Sequence, residues 1–274
     1  MLKSRVITAL IMVMLLLAAV FALPTVGWIV LITMLALQAS LEWARLAKLE
    51  AKLTTVYWVA TLLVMLALVW FEATHAVEQL SLVHLFVYAI AAIFWLMVVP
   101  TWLMMGWKVK QPILMMAIGW VVIIPTALAM LDLRLISPWL LLFIMCLVWI
   151  ADISAYFSGR KFGKNKLAPS ISPGKTWEGV AGAACGVSVY IVLVWMFNPY
   201  FHQHEALMFL LIGSWWWVGL AVLGDLFESA VKRQAGVKDS GALLPGHGGL
   251  LDRIDALTST LPLAALAIIM QQLN

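Results

Sequence analysis

Nine stretches without a single Asp, Glu, Lys or Arg divide this chain, at 6–23, 26–41, 54–71, 79–99, 112–131, 135–151, 179–198, 206–224 and 256–272. Most reach the roughly 17–25 residues that a helix needs to cross about 30 Å of hydrocarbon. Window 26–41 is short and extends through Trp43 and Ala44, with Glu42 near the surface. Lipid offers no water to backbone amides, so such segments must be helices or a closed barrel. Barrel strands alternate polar and apolar residues, and these windows do not. The expected fold is therefore all-α: a polytopic transmembrane helical bundle of about nine spans. Composition agrees, because only 11% of the residues are charged against roughly 25% in soluble domains. Window 6–23 follows Lys3 and Arg5 as a signal peptide would. It is longer than the usual apolar core of about 7–15 residues, and Val20-Phe21-Ala22 is a weak cleavage site, so a retained first span is expected.

Basic residues accumulate in cytoplasmic loops. With the N-terminus inside, the cytoplasmic segments hold every Lys and Arg except Arg134, 16 of the 17. A miscounted helix would scramble that pattern for every later loop. The net charge of +4 is thus a topology signal, and nucleic acid is not an expected partner. The outer loops are chemically quiet: His202-x-His204 reads as solvated polar residues rather than as a metal pair. His84 lies inside a span and is expected to contact a neighbouring helix, while Pro125 and Pro262 are expected to kink theirs. Cys146 and Cys185 have no metal-ligand spacing and read as buried apolar residues.

Two cytoplasmic segments, 152–178 and 225–255, carry the chemistry. They hold 7 of the 13 acidic residues, which orientation does not demand, because Asp and Glu contribute little to it. Asp152, Glu178, Asp225, Glu228, Asp252 and Asp255 each stand at a span boundary, where a carboxylate costs less than the roughly 2.5–3.5 kcal/mol of the bilayer centre. Asp225 and Glu228 are three apart, as are Asp252 and Asp255, so each pair shares a helix face. Converging helix ends would make a negative cluster that needs cations, either metal or Lys and Arg. Plainer readings also exist. Asp252 and Asp255 could complement a helix dipole, and Glu228 and Lys232 could form an ordinary i,i+4 pair.

Around these acids lie Gly159-Arg160-Lys161-Phe162-Gly163-Lys164, Ser172-Pro173-Gly174-Lys175-Thr176, and Lys238-Asp239-Ser240-Gly241 through Gly246-His247-Gly248-Gly249. Glycine lets backbone amides approach an anion, and Lys supplies a point charge for phosphate. Gly174-Lys175-Thr176 resembles the end of a P-loop, but the four-residue spacer with its first glycine is missing and no strand is expected before it, so a P-loop is rejected. Carboxylates for a hard divalent cation beside cations for phosphate point to phosphoryl or nucleotidyl transfer at a membrane surface.

The run Ser229-Ala230-Val231-Lys232-Arg233, four residues, Lys238-Asp239-Ser240-Gly241, then Leu244-Pro245-Gly246-His247-Gly248-Gly249-Leu250-Leu251-Asp252-Arg253-Ile254-Asp255 resembles the C-terminal pattern of CDP-diacylglycerol synthases (phosphatidate cytidylyltransferases). Gly224-Asp225-Leu226-Phe227-Glu228-Ser229, Ser172 through Gly179, and Asp152 through Gly163 are similar to further motifs of that family. The resemblance covers 150–255 closely, and divides the chain into N-terminal transmembrane helices, 1–131, and a C-terminal catalytic region, 132–274. It implies that CTP and phosphatidate give CDP-diacylglycerol and pyrophosphate in phospholipid biosynthesis, that Mg²⁺ is required, with or without a second cation, and that the protein is often a homodimer. It also implies a multi-pass protein of a bacterial inner membrane with its active site facing the cytoplasm.

On that footing Asp225 and Asp252 are the expected metal ligands, with Asp255 and Glu228 as further or more distant ones. Lys175, Lys232, Arg233 and Lys238 are expected on phosphates, with Arg160 and Lys164 recruiting the nucleotide. Ser172, Glu178, Ser229, Asp239 and Arg253 complete the expected substrate-binding set. His247 could donate to a phosphate or simply shape a turn. CTP would arrive from the cytoplasm and the lipid laterally between helices. The rivals are another membrane nucleotidyl- or phosphotransferase acting on a lipid phosphate or polyprenol, and a transporter. Transporters place ionisable groups near the midplane, whereas these acids stop at one face.

Overall fold

The computed structural model describes residues 2–74, 77–198, 207–243 and 248–272. His75, the His202–His204 pair and His247 fall outside them. The described helices are α1 (Leu2–Ala22), α2 (Thr25–Leu46), α3 (Ala51–Thr74), α4 (Val77–Ile93), α5 (Val99–Met105), α6 (Pro112–Ile136), α7 (Pro138–Phe162), α8 (Trp177–Phe197), α9 (Leu207–Ala235) and α10 (Leu251–Gln272). A π-turn, Phe94–Val98, joins α4 to α5 as one span. Among the described residues, eight segments are long and apolar enough to cross a membrane, and Ile11–Ala22 is a shorter apolar helix. The polytopic bundle expected from the charge-free windows is thus the architecture found.

The π-turn has a local cause. Pro100 has no N–H to offer the preceding turn, and the chain widens just upstream of it. The widened turn buries Phe94 and Trp95, whose rings meet Phe227 of α9 edge-on at 5.3 and 5.5 Å. Trp102 adds a third edge contact at 5.4 Å, and Trp43 of α2 stacks on Phe227 at 6.4 Å. Phe227 is the root of α9.

Tryptophan indole N–H groups fasten α2 to α6. Trp28 Nε1 donates to the Met130 carbonyl at 3.2 Å and Trp43 Nε1 to that of Met115 at 2.7 Å. Each satisfies a buried polar tip that an apolar surrounding would otherwise penalise. Arg134, the one basic residue assigned outside, lies over the Trp28 ring and donates to the carbonyls of Val20 and Leu23, closing the end of α1. His84 does contact a neighbouring helix: its Nδ1 lies 2.9 Å from Asp132 Oδ2, which also accepts from Tyr88 at 2.6 Å.

The structure corrects three expectations. A strand does precede Trp177: Lys166–Ala168 (β1) and Ser172–Thr176 (β2) pair antiparallel between α7 and α8. It is an isolated two-stranded hairpin that still lacks the P-loop spacer. Glu42, expected near the surface, is fully enclosed, because Ser240, Gly241 and Gly249 lie against it. Cys185 is exposed and Cys146 half-buried, so Cys185 is not the buried residue expected; it lies on an α8 face that helices leave uncovered.

Phe227→Ala is expected to cost about 3–5 kcal/mol, as for a large aromatic deleted from a packed core. A lowered thermal midpoint of the detergent-solubilised protein would register it, and an unchanged midpoint would refute the anchoring role.

Candidate active site at the polar end of the bundle

Small residues let α7 and α8 lie close. A β-carbon at Gly186 or Gly182 would run into Ser154 or Ser158, and one at Gly159 would sit 3.1 Å from Thr176 Oγ1. That hydroxyl also caps α8, accepting from Gly179 N at 3.1 Å. The cap fixes the end of β2, and with it Lys175. Glu178 turns the other way, accepting from the Asn165 backbone at 3.1 Å and its amide at 2.8 Å, so it pins the turn before β1.

A cavity of about 660 Å³ opens between α7, α8, α9 and the hairpin. Its apolar part is lined by Ala151, Ala183, Val218, Ala221 and Val222. Its polar part presents Asp152, Arg160, Lys166, Ser172, Lys175 and Asp225. Lys175 Nζ lies 2.5 Å from Asp225 Oδ2, and Ser229 donates to Asp225 Oδ1 at 3.4 Å. Asp152, Asp225 and Asp255 are close enough to repel one another, with Lys175 the nearby counter-charge for Asp152.

A second ionic group adjoins the first. Lys232 Nζ bridges Asp252 Oδ1 at 2.6 Å and Glu228 Oε1 at 3.1 Å. The other oxygen of Asp252 accepts from Ser240 N and Gly249 N, both at 2.8 Å, and lies 3.0 Å from Ser240 Oγ, whose single proton it shares with Glu42. Asp255 interacts with Glu228 and Lys232 as well as with Asp225, so it joins the two groups. The close approach of α9 and α10 rests on Gly224, where a β-carbon would lie 2.5 Å from the Asp255 carbonyl and 2.6 Å from Ser259 Oγ. Glycine immediately before Asp225 thus lets the acids of two helices share one corner.

Arg233 donates to the carbonyls of Ile171 at 3.4 Å and Val237 at 3.2 Å, tying the hairpin to the end of α9. Lys164, Lys238, Asp239 and Arg253 are exposed. The structure therefore gathers Asp225, Glu228, Ser229, Lys232, Asp252, Asp255 and Lys175, and keeps Arg160 and Ser172 at the cavity. Two participants were missing from the expected set: Lys166, hidden among other loop cations, and Asp152, noted only as a boundary acid.

Among the described residues no three acidic, His or Cys side chains already converge as a metal cage. The donor chemistry nonetheless fits a hard divalent cation, because Asp152, Asp225 and Asp255 place mutually repelling oxygens at one corner, and oxygen ligands are what such ions take.

The family model described as cytidylyltransferase family matches residues 3–270. The chain belongs to the cytidylyltransferase family. It is similar to the phosphatidate cytidylyltransferase of Haemophilus influenzae, 37% identical over 287 residues, and to that of Pseudomonas aeruginosa, 37% identical over 272. These alignments cover 96% and 97% of this chain, and 96% of each relative. The phosphatidate cytidylyltransferase of Staphylococcus saprophyticus is 46% identical over 130 residues, covering 47% of this chain and 48% of its own.

Gly224→Ala is expected to force α9 from α10 at a cost of about 1–3 kcal/mol, typical of overpacking. Thermal unfolding of the purified protein measures it; a midpoint equal to wild type would mean that the close approach of α9 and α10 does not depend on Gly224.

Proposed function

We propose that this protein transfers the cytidylyl group of CTP to the phosphate of phosphatidate, releasing pyrophosphate, at the cytoplasmic face of a bacterial inner membrane. The observation that carries the reading is the cavity that joins an apolar wall to a rim of Arg160, Lys166 and Lys175 beside the acid cluster. An amphiphilic phosphate needs both halves. The names of the relatives favour the same substrates, and the one-sided distribution of Lys and Arg favours the orientation.

A phosphate monoester is largely ionised near pH 7, with its second pKa about 6. The nucleophile therefore needs no strong base. The barrier is electrostatic: an anion must approach a polyanionic triphosphate. Lys175 and Lys232 answer it by presenting ammonium groups that already sit within the cluster, while Arg160 and Lys166 hold charge at the mouth of the cavity. Lys164, Arg233, Lys238 and Arg253 add positive potential at the rim, where incoming CTP would pass. Ser172, Ser229 and Asp239 offer hydrogen bonds there, and Glu178 would act through the turn it pins. Mg²⁺ would be held by Asp225 and Asp252, the latter through the carboxylate oxygen that Lys232 now meets, with Asp152, Asp255 and Glu228 nearby; when bound it would neutralise charge on the phosphates and the leaving pyrophosphate. The apolar wall between α8 and α9 gives the acyl-glycerol part of the lipid a lateral way in. A homodimer remains part of this proposal through the family likeness.

The test incubates purified protein in detergent with CTP, phosphatidate and Mg²⁺ and measures CDP-diacylglycerol. Formation with CTP, and little with ATP, GTP or UTP, is expected. Equal use of all four would favour a different nucleotidyltransferase. Lys175→Ala and Asp225→Asn should each lower kcat by about 10²–10³-fold, the usual loss of a charge-stabilising group. A folded Asp225→Asn with full activity would remove Asp225 from the site.

A further inference from the structure

Glu42 lies in α2, nearly 200 residues before Ser240 and the start of α10, and its side chain is wholly enclosed. Each of its oxygens takes two donors. Oε1 accepts from Gln38 Nε2 at 3.1 Å and Leu250 N at 2.9 Å. Oε2 accepts from Ser240 Oγ at 2.8 Å and Leu251 N at 2.9 Å. Leu250 and Leu251 are the start of α10, whose first amides have no partners within the helix. The amide before them, Gly249 N, is bound by Asp252. Three successive amides are thus divided between two carboxylates, Glu42 behind the loop and Asp252 in front of it.

Ser240 connects the two. Its hydroxyl lies 2.8 Å from Glu42 Oε2 and 3.0 Å from Asp252 Oδ2, and its amide also holds Asp252 Oδ2. The loop is built around this bridge. A β-carbon at Gly249 would collide with Ser240 Oγ and Glu42, and one at Gly241 would sit 3.0 Å from Glu42 Oε1. Gly248 adopts φ +82°, and a β-carbon there would lie 2.7 Å from Asp252 Oδ2. With Oδ2 fixed in this way, Asp252 can direct only Oδ1 towards Lys232 and the acid cluster.

We infer that Glu42 is a positioning residue for the reaction: through Ser240 and the amides of Leu250 and Leu251 it sets the orientation of Asp252. The inference rests on Asp252 belonging to the cytidylyltransferase site. A carboxylate is required because every group facing it is a donor. Glutamine at this place is nearly isosteric, but its NH₂ would be turned towards one pair of those donors.

The experiment measures CDP-diacylglycerol formation and thermal midpoint for the full chain, Glu42→Gln, Ser240→Ala and the double variant. Each single substitution is expected to lower kcat by about 10–100-fold, the usual effect of losing a group that orients a ligating side chain. The KM for CTP should stay within about threefold, because nothing that meets the nucleotide is removed, and the double variant should be little worse than the worse single, as coupled neighbours behave. Wild-type kcat in Glu42→Gln overturns the inference, and so do losses that multiply in the double variant. Should Glu42→Gln not fold, Ser240→Ala decides: a fall in kcat at unchanged KM upholds the bridge, and wild-type kcat removes it. Absence of product from the unsubstituted protein would defeat the reading of the reaction itself, and this inference with it. Full activity of Asp252→Asn would defeat only the assignment of Asp252 and the inference built on it.

Discussion

Carboxylates at one end of an apolar bundle must find positive charge or hydrogen-bond donors, because isolated ions in such surroundings are strongly penalised. Every acid at the polar end can be read against that constraint. Asp225 has Lys175, and Glu228 and Asp252 share Lys232. Glu42 has four donors, none of them a basic side chain. Asp152, Asp225 and Asp255 together remain in excess over the nearby lysine. Partly buried ion pairs contribute little net stability compared with apolar packing of the same volume. A stable bundle would not need this arrangement, whereas a site that must hold a cation and phosphates together would.

The acids meet only because the helices are held unusually close. Gly224 removes the side chain that would separate α9 from α10, and the aromatic ring of contacts around Phe227 seats α9 against the N-terminal helices. Gln234 ends the same helix by exchanging hydrogen bonds with the backbone of Val109, at 2.9 and 2.6 Å. The N-terminal helices thus fix one wall of the site while contributing few charged groups to it.

Much of this was legible in sequence because the dominant signals are local. A charge-free window states a span by itself, and the boundary acids and glycine-rich loops mark which end carries chemistry. The hairpin β1–β2 was missed because its strands are only 3 and 5 residues long, too short for an alternating pattern, and because Ser172-Pro173-Gly174 reads as a turn. The π-turn was missed although Pro100 signals it, since a proline near a span end reads equally well as a terminus. Lys166 and Asp152 face the cavity for reasons of helix phase and strand register that no single-residue property reveals.

Glu42 shows the limit most clearly. Its window is short, and a carboxylate that shortens a span reads as a group reaching for the surface. The alternative needed knowledge of donors about 200 residues away in sequence: two amides at a helix start and one serine hydroxyl. A helix N-terminus has unsatisfied amides wherever it forms, and an approaching anion gains from its dipole as well. A loop that exposes such amides inside an apolar bundle therefore requires an acid from some other helix. The sequence of α10 contains that requirement, since Asp252 can reach only the Gly249 amide of the three, and an acid interrupting an otherwise apolar span is the group able to meet it.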